Sequence, residues 1–391
     1  MAEKAGGLGA LSTLTRFAIP RLGRYLVNGN AVVQSASLKS QLTPVLATGS
    51  DKLVLDASFH VLPAEGGEWT DTGISVAAGE EITLLAQGVF WMSRPLDIRL
   101  PPSAALWARI GDGNVFKVPS NAASIVAEGS GHLSLIAAGP GVWESQQGEF
   151  LGGDVPDGPQ GELDVAVLKF EGNAADALRD LAERAEKPLA DLMEEGINRL
   201  DHAATPPEGW HYLWRLGEGE LYQAAEEQED ACIHCTTHED VGILQIPAER
   251  PLTDTLTLNW DWIAHQLPST LPEDIEPTHD YLSIAVEFDN GLDLTYMWSA
   301  ALPEDTIFQC PLAWWDERET HWVIRTKKDV GKWLSEERSI RKDYEQAIGG
   351  EVPAKVVQVW LIANSLFQRG TGKCDYRAIR LIDGDNVLDL C

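Results

Sequence analysis

The stretch Gly73–Gly88, GISVAAGEEITLLAQG, decides the fold of this chain. Ile74 and Val76 alternate with small or polar residues, Gly79 and Glu80 interrupt them, and Ile82, Leu84 and Ala86 resume the same period of two. Successive side chains of a strand point to opposite faces, so this is the text of two short strands and a turn. The pattern extends in both directions: LDASFHVL (55–62), LWARIGDGNVFKV (106–118), HLSLIAAG (132–139) and GELDVAVLKF (161–170) are short alternating runs between glycine-rich turns. Their spacing predicts a small all-β sandwich or jelly roll over residues 51–172.

The period then changes. Leu178, Leu181, Ala185, Leu189, Leu192 and Ile197 form one stripe with charges opposite, which predicts one or two helices over 173–205, broken near Pro188. Beyond this connector, residues 206–391 return to strand-like text rich in tryptophan: LTLNWDWIAHQL (256–267), YLSIAVEFDN (281–290), LDLTYMWSA (292–300), THWVIRT (320–326) and AKVVQVWLIANSLF (354–367). Between the last two, VGKWLSEERSIRKDYEQAIGG (330–350) has the spacing of a helix ending at Gly349-Gly350. The expected architecture is mainly β: two antiparallel, jelly-roll-like sandwiches joined by a helical connector. Residues 1–50 form an N-terminal arm, in which Leu14, Phe17, Ala18, Leu22 and Leu26 fall at near-helical spacing among Arg16, Arg21 and Arg24. That arm is either an amphipathic segment for a partner subunit or a loosely ordered tail.

A chain of 391 residues with 44% hydrophobic composition has material for two cores. Its formal charge of -30 repels phosphate backbones and anionic lipid, so nucleic acid is excluded as a partner, and no apolar run is long enough for a membrane span. The beginning lacks the order of a secretory signal, and five cysteines are thinly spread, so free thiols and a cytoplasmic location are expected.

GEWTDTGISVAAGEEITLLAQGVFW (67–91), ALWARIGDG (105–113) and GHLSLIAAG (131–139) resemble the bacterial calcium-dependent galactose lectins of the PA-I type. The resemblance implies a jelly roll in which sugar hydroxyls complete the shell of a calcium ion. Where that family has an Asn-Asn pair before Ser-Gly, this sequence has Ser145-Gln146 or Gly158-Pro159, depending on the segment aligned. Asp154, Asp157 and Glu162 lie nearby, as an alternative acidic site or a solvated hairpin. LNWDWIAHQLP (258–268), YLSIAVEF (281–288), LTYMWS (294–299), HWVIRT (321–326), GKWLSEERSIRKDYEQAIGG (331–350) and VWLIANSLFQRGTG (359–372) resemble the domain-of-unknown-function 3047 family. That resemblance implies a sandwich and no particular chemistry.

Three sets of residues carry candidate chemistry. Cys232, His234, Cys235 and His238 in CIHCTTHED are types that bind zinc, or they belong to a half-buried strand. Trp260 and Trp262, and again Tyr296 and Trp298, are spaced by two, so each pair shares a strand face. Such rings stack on a sugar or fill the core, with Arg369 as a polar companion. His279, Asp280, His321 and Arg325 are polar groups among hydrophobic strands. A histidine, a carboxylate and an arginine on one face would supply a base, an acid and an anion clamp, which suits a lyase or hydrolase. His321 and Arg325, four apart, are expected on the same face. The leading expectation is binding of a glycan or other hydroxylated small molecule; the alternatives are that lyase or hydrolase and a structural subunit. Calcium or zinc is compatible with these residue types, and a homo-oligomer with every reading.

Overall fold

The computed structural model describes residues 7–32, 35–48, 54–153, 158–227, 230–312, 315 and 318–391. Asp154 and Asp157 lie outside them. The chain divides into two compact units: residues 24–204 with 214–220, and residues 1–23 with 205–213 and 221–391.

The first unit is a sandwich of two sheets. Its five-stranded sheet runs Val54–Pro63, Gln160–Phe170, Glu81–Ser93 and Ile98–Leu100, with Ala122–Val126 also paired to Glu81–Ser93. Its four-stranded sheet runs Thr70–Val76, Gly131–Ala137, Leu106–Ile110 and Phe116–Lys117. The two alternating runs around Gly79 are therefore strands, as their period requires, but they belong to different sheets. Trp107 and Trp143 are fully buried with Val115 and Ile136 in one cluster.

The stripe of residues 173–205 becomes two helices, Ala174–Ala182 and Leu189–Asp201. Asn173 caps the first, its side chain accepting from the N–H of Asp176. Leu178, Leu181, Leu189 and Met193 pack with Leu38 and Leu42 of helix Leu38–Ala47 against Leu85, Ala166 and Leu168. The connector thus buries its apolar stripe on the outer face of the five-stranded sheet, because an amphipathic helix needs an apolar surface to cover.

The second unit is a larger sandwich. One sheet has seven strands in the order His211–Tyr212, Val241–Pro251, Lys355–Asn364, Tyr281–Phe288, Asp293–Ser299, Glu319–Thr326, Ile307–Gln309. The other has Tyr222–Glu227, Asp230–His238, Thr371–Asp383, Thr257–Gln266 and Leu334–Ser339 in order, with Asn386–Asp389 on Thr371–Asp383. All pairings in this unit are antiparallel except that of Asp293–Ser299 with Glu319–Thr326. Leu282, Ile284, Val286, Leu294, Tyr296 and Trp298 meet Leu258, Trp260, Trp262 and Tyr376 between the sheets.

The segment expected to be one helix is split. Leu334–Ser339 is an edge strand on Thr257–Gln266, and only Ile340–Ala347 is helical. LSEERS alternates in burial along the strand, and tertiary pairing overrides the helical propensity of its glutamates. Gly349 stops the helix as expected, at φ 76°, donating its N–H to the Tyr344 carbonyl. The arm contains helix Gly7–Asn28, continuous through Pro20, with Phe17 buried and Leu26 and Val27 exposed. No described helix is long and apolar enough to cross a membrane. None of the five cysteines forms a disulfide.

Candidate functional site

The seven-stranded sheet has one face that the sequence pattern does not advertise. Alternation sends Leu282, Ile284, Leu294 and Tyr296 into the core between sheets, so Tyr281, Ser283, Asp293, Thr295, Glu319 and His321 line the opposite face. That face is buried as well, His321 and Asp293 completely. Register places Asp293 beside Glu319 and Thr295 beside His321 across the parallel pair, and Phe308 beside His321 across the edge. The Phe308 ring stacks on His321 at 4.8 Å and 9°. His279 follows the turn Glu276–Thr278, and its ring lies 4.8 Å from His321 and 4.7 Å from Tyr281.

The hydrogen bonds fix much of the protonation. His279 Nδ1 is 2.7 Å from the Glu273 carbonyl oxygen, so Nδ1 carries the proton and Nε2 keeps a lone pair, 3.7 Å from Cys310 Sγ. Burial pushes His279 down to about 4, and burial with the neighbouring His279 holds His321 well below the ordinary histidine range. Glu319 Oε1 accepts from Thr295 Oγ1 at 2.9 Å and from the Tyr281 hydroxyl at 3.1 Å. Burial raises Glu319, and burial with the adjacent Glu319 raises Asp293. Neither ring nitrogen of His321 makes a hydrogen bond, and Asp293 Oδ2 and Ser283 Oγ are also unpartnered. His321 Nε2 nevertheless lies 3.2 Å from Glu319 Oε1. The side-chain donors of His279, Glu319 and His321 all fall within 4.8 Å of one another.

Of the four residues expected to carry catalysis, His279 and His321 meet here and the other two do not. Asp280 faces a turn, accepting the N–H of Phe367 at 2.9 Å and of Gln368 at 2.6 Å. Arg325 is turned away by a bulge. Met297 pairs with Val323 but Trp298 pairs with Arg325, so Ile324 is an extra residue and Arg325 moves to the face of Trp298. There it forms a two-point ion pair with Glu336, which also accepts the Trp262 indole N–H at 3.0 Å. Glu319, Asp293, Tyr281 and Cys310 were missed by sequence reasoning. Glu319 had a signal: in ETHWVIRT it stands two before His321, hence on the same face.

The aromatic pairs are core, which corrects their expected role in ligand binding. Trp260, Trp262, Tyr296 and Trp298 are at most 1% exposed. Trp260 touches Tyr296 at 5.6 Å between ring centres, and Trp262 touches Trp298 at 5.2 Å. Two facing sheets each present a pair at the same level, and their rings interlock between them. Arg369 is not with them; it occupies the turn after Lys355–Asn364, with a left-handed φ of 58°.

Strand alternation turns one of the expected zinc ligands away from the other three. Cys235 points into the core beside Ile233, away from Cys232 and His234. His234 Nδ1 meets Asp375 Oδ1 at 2.5 Å, while exposed His238 meets the hydroxyl of Thr371 at 3.0 Å.

The first sandwich carries a different kind of site. On the outer face of its five-stranded sheet, beyond the part covered by helices, a groove of ≈ 960 Å³ is lined by Val61, Gln87, Trp91, Arg94, Glu162 and Asp164, among others. Gln87 pairs with Asp164 across the strands and Val89 with Glu162, so their side chains share this face. Gln87 Nε2 donates to Asp164 Oδ2 at 2.9 Å, and the N–H of Leu38 donates to the same oxygen at 2.7 Å. Arg94 and Arg99 approach the Trp91 ring at 5.9 and 5.5 Å. Gly161, at φ 95°, forms part of the lining, where a side chain would overlap the Val89 carbonyl oxygen.

Residues 209–380 match the family described as protein of unknown function, DUF3047. The DUF3047 region thus contains the whole buried histidine and carboxylate centre. Comparison with curated proteins finds no match. Among solved structures, the EclA N-terminal domain, a PllA-like lectin, is 23% identical over 31% of this chain and 100% of that one, with a TM-score of 0.23. The xyloglucanase domain of NopAA from Sinorhizobium fredii is 6% identical over 47% of this chain and 94% of that one, at 0.26. A family 30 carbohydrate-binding module of Clostridium thermocellum is 10% identical over 43% of this chain and 86% of that one, at 0.25.

Proposed function

We propose that this protein binds a carbohydrate or another hydroxylated small molecule, in the groove of its first sandwich. The observation that carries the reading is the groove's lining: an indole, three valines, a planar amide, two carboxylates and a guanidinium around ≈ 960 Å³. That volume suits a small organic ligand. Carboxylates and amides accept and donate to adjacent hydroxyls, and apolar side chains cover the C–H face of a sugar ring. The guanidinium of Arg94 offsets one of the two carboxylates, Glu162 and Asp164, and the residual negative charge disfavours an anion. Among the described residues, the stacked rings of the second sandwich, Trp260, Trp262, Tyr296 and Trp298, are buried and offer no such open face.

The test is calorimetric titration of the full chain with mono- and oligosaccharides, repeated on Glu162→Ala. Glu162 is exposed, so its loss leaves the fold in place. Saturable binding weakened by about tenfold, as for one hydrogen bond to a charged group, supports the reading. Saccharide binding that Glu162→Ala leaves intact, or none at all across the panel, overturns it.

A further inference from the structure

We propose that the buried centre of the DUF3047 region is a metal site, in which His279, His321 and Glu319 hold a divalent first-row ion of the zinc type. Two imidazoles and one carboxylate are a donor set that takes zinc and its neighbours. The geometry is close to what such an ion requires. An ion bonded at about 2.0–2.1 Å spaces tetrahedral ligands about 3.3 Å apart. His321 Nε2 and Glu319 Oε1 already stand 3.2 Å apart without hydrogen-bond geometry, the separation of two ligands sharing an ion. The rest of the triangle, within 4.8 Å, closes by about an ångström of side-chain rotation.

The surroundings are those of a ligand set rather than of a hydrogen-bond network. A metal-bound histidine donates its other N–H to a carbonyl or carboxylate, and His279 Nδ1 does so to the Glu273 carbonyl oxygen at 2.7 Å. A ligating carboxylate is oriented by hydrogen bonds, and Glu319 receives them from Thr295 and Tyr281. His321, fully buried, has no hydrogen bond at either nitrogen. Leaving such buried groups unpaired is unfavourable, and an ion supplies the missing partner. Cys310 Sγ, 3.7 Å from His279 Nε2, lies at the edge of the triangle and outside the donor set. The ion meets neutral imidazoles, since burial lowers both histidines, and displaces whatever proton Glu319 retains.

The experiment is metal analysis of the full chain after unfolding in chelator and refolding with one equivalent of zinc or cobalt(II). The expected result is about one retained ion per chain after gel filtration, visible absorption of low-symmetry cobalt, and a first shell of nitrogen and oxygen in zinc X-ray absorption. His321→Gln and Glu319→Gln are expected to lower retention at least tenfold. His234→Ala with His238→Ala, in the strand Asp230–His238, is expected to leave it unchanged. Refolded wild-type chain that keeps less than a tenth of an equivalent of either metal overturns the proposal without recourse to the variants. So does retention lost only in the His234 and His238 variant. Saccharide titration of metal-free and loaded chain keeps this result separate from the groove, which shares no residue with it.

Discussion

Replacing Glu273 by glutamine should change sign in its effect on stability between pH 4 and 8.5. The Glu273 carboxylate is buried and accepts from the Ser269 hydroxyl at 2.6 Å, the Ser299 hydroxyl at 2.5 Å and the Ala300 N–H at 2.8 Å. Ser299 Oγ already accepts from the N–H groups of Ala301 and Leu302, so its proton is committed to Glu273. Glutamine keeps one acceptor oxygen and turns an amide N–H toward Ser299, which loses that bond at every pH, at about 1 kcal/mol. Against this stands the charge. Burial pushes Glu273 from 4.5 up to about 7. The folded chain holds the proton that the unfolded chain has released, so this group's stability is full below pH 4.5 and is lost as pH rises through 7. A shift of roughly 2.5 units amounts to about 3 kcal/mol by pH 8.5. Glu273→Gln should therefore be destabilised by about 1 kcal/mol at pH 4 and stabilised by about 2 kcal/mol at pH 8.5. Urea unfolding at the two pH values, with hydrogen exchange of peptides spanning 269–302, measures both. Equal effects at the two pH values would refute the reasoning: the three donors would then have fully compensated the buried charge.

Trp262→Ala should cost about 3–5 kcal/mol, because it empties the fully buried centre of the ring stack and removes the indole N–H from Glu336; the shift of the urea midpoint reads it, and a loss below 1 kcal/mol would contradict the packing. Gly161→Ala should destabilise the first unit more than Gly152→Ala does. Both glycines have positive φ, but only the methyl at 161 meets the Val89 oxygen, whereas 152 has open space. Thermal unfolding of the two variants isolates that overlap.

The sandwiches were legible because a period of two survives wherever one sheet face meets a core and the other meets something different. Tyr281–Phe288 shows where this legibility ends. Its even residues are plainly core, but Tyr281 and Ser283 are buried too, and no local pattern says that an outer face is covered. The same gap misplaced the aromatic pairs, since a ring with period two looks alike on a covered and an open face. Arg325 was misread for a different reason: one bulged residue in Glu319–Thr326 reverses every side chain after it, and bulges are set by neighbouring strands. Leu334–Ser339 was taken for helix because its partner, Thr257–Gln266, lies far away in sequence. The pairing of His279 with His321 was visible only as two unexplained polar residues; the Asp293 and Glu319 register that completes the centre depends on a parallel pairing no spacing announces.

That parallel pairing decides how the buried centre is reached. Two neighbouring parallel strands cannot be joined by a tight turn, so the chain after Ser299 must travel back along the sheet before Glu319 begins. On the way it lays down Ile307–Gln309, a three-residue strand at the sheet's end, with Phe308 against His321. The strand that carries Phe308 over His321 is thus a short edge, held by few ladder bonds and with no described strand on its far side. Peeling it back lifts the Phe308 ring off His321 while the six other strands stay paired. Access to the proposed metal site through this edge would then require only local fraying, with no need to unfold the sandwich.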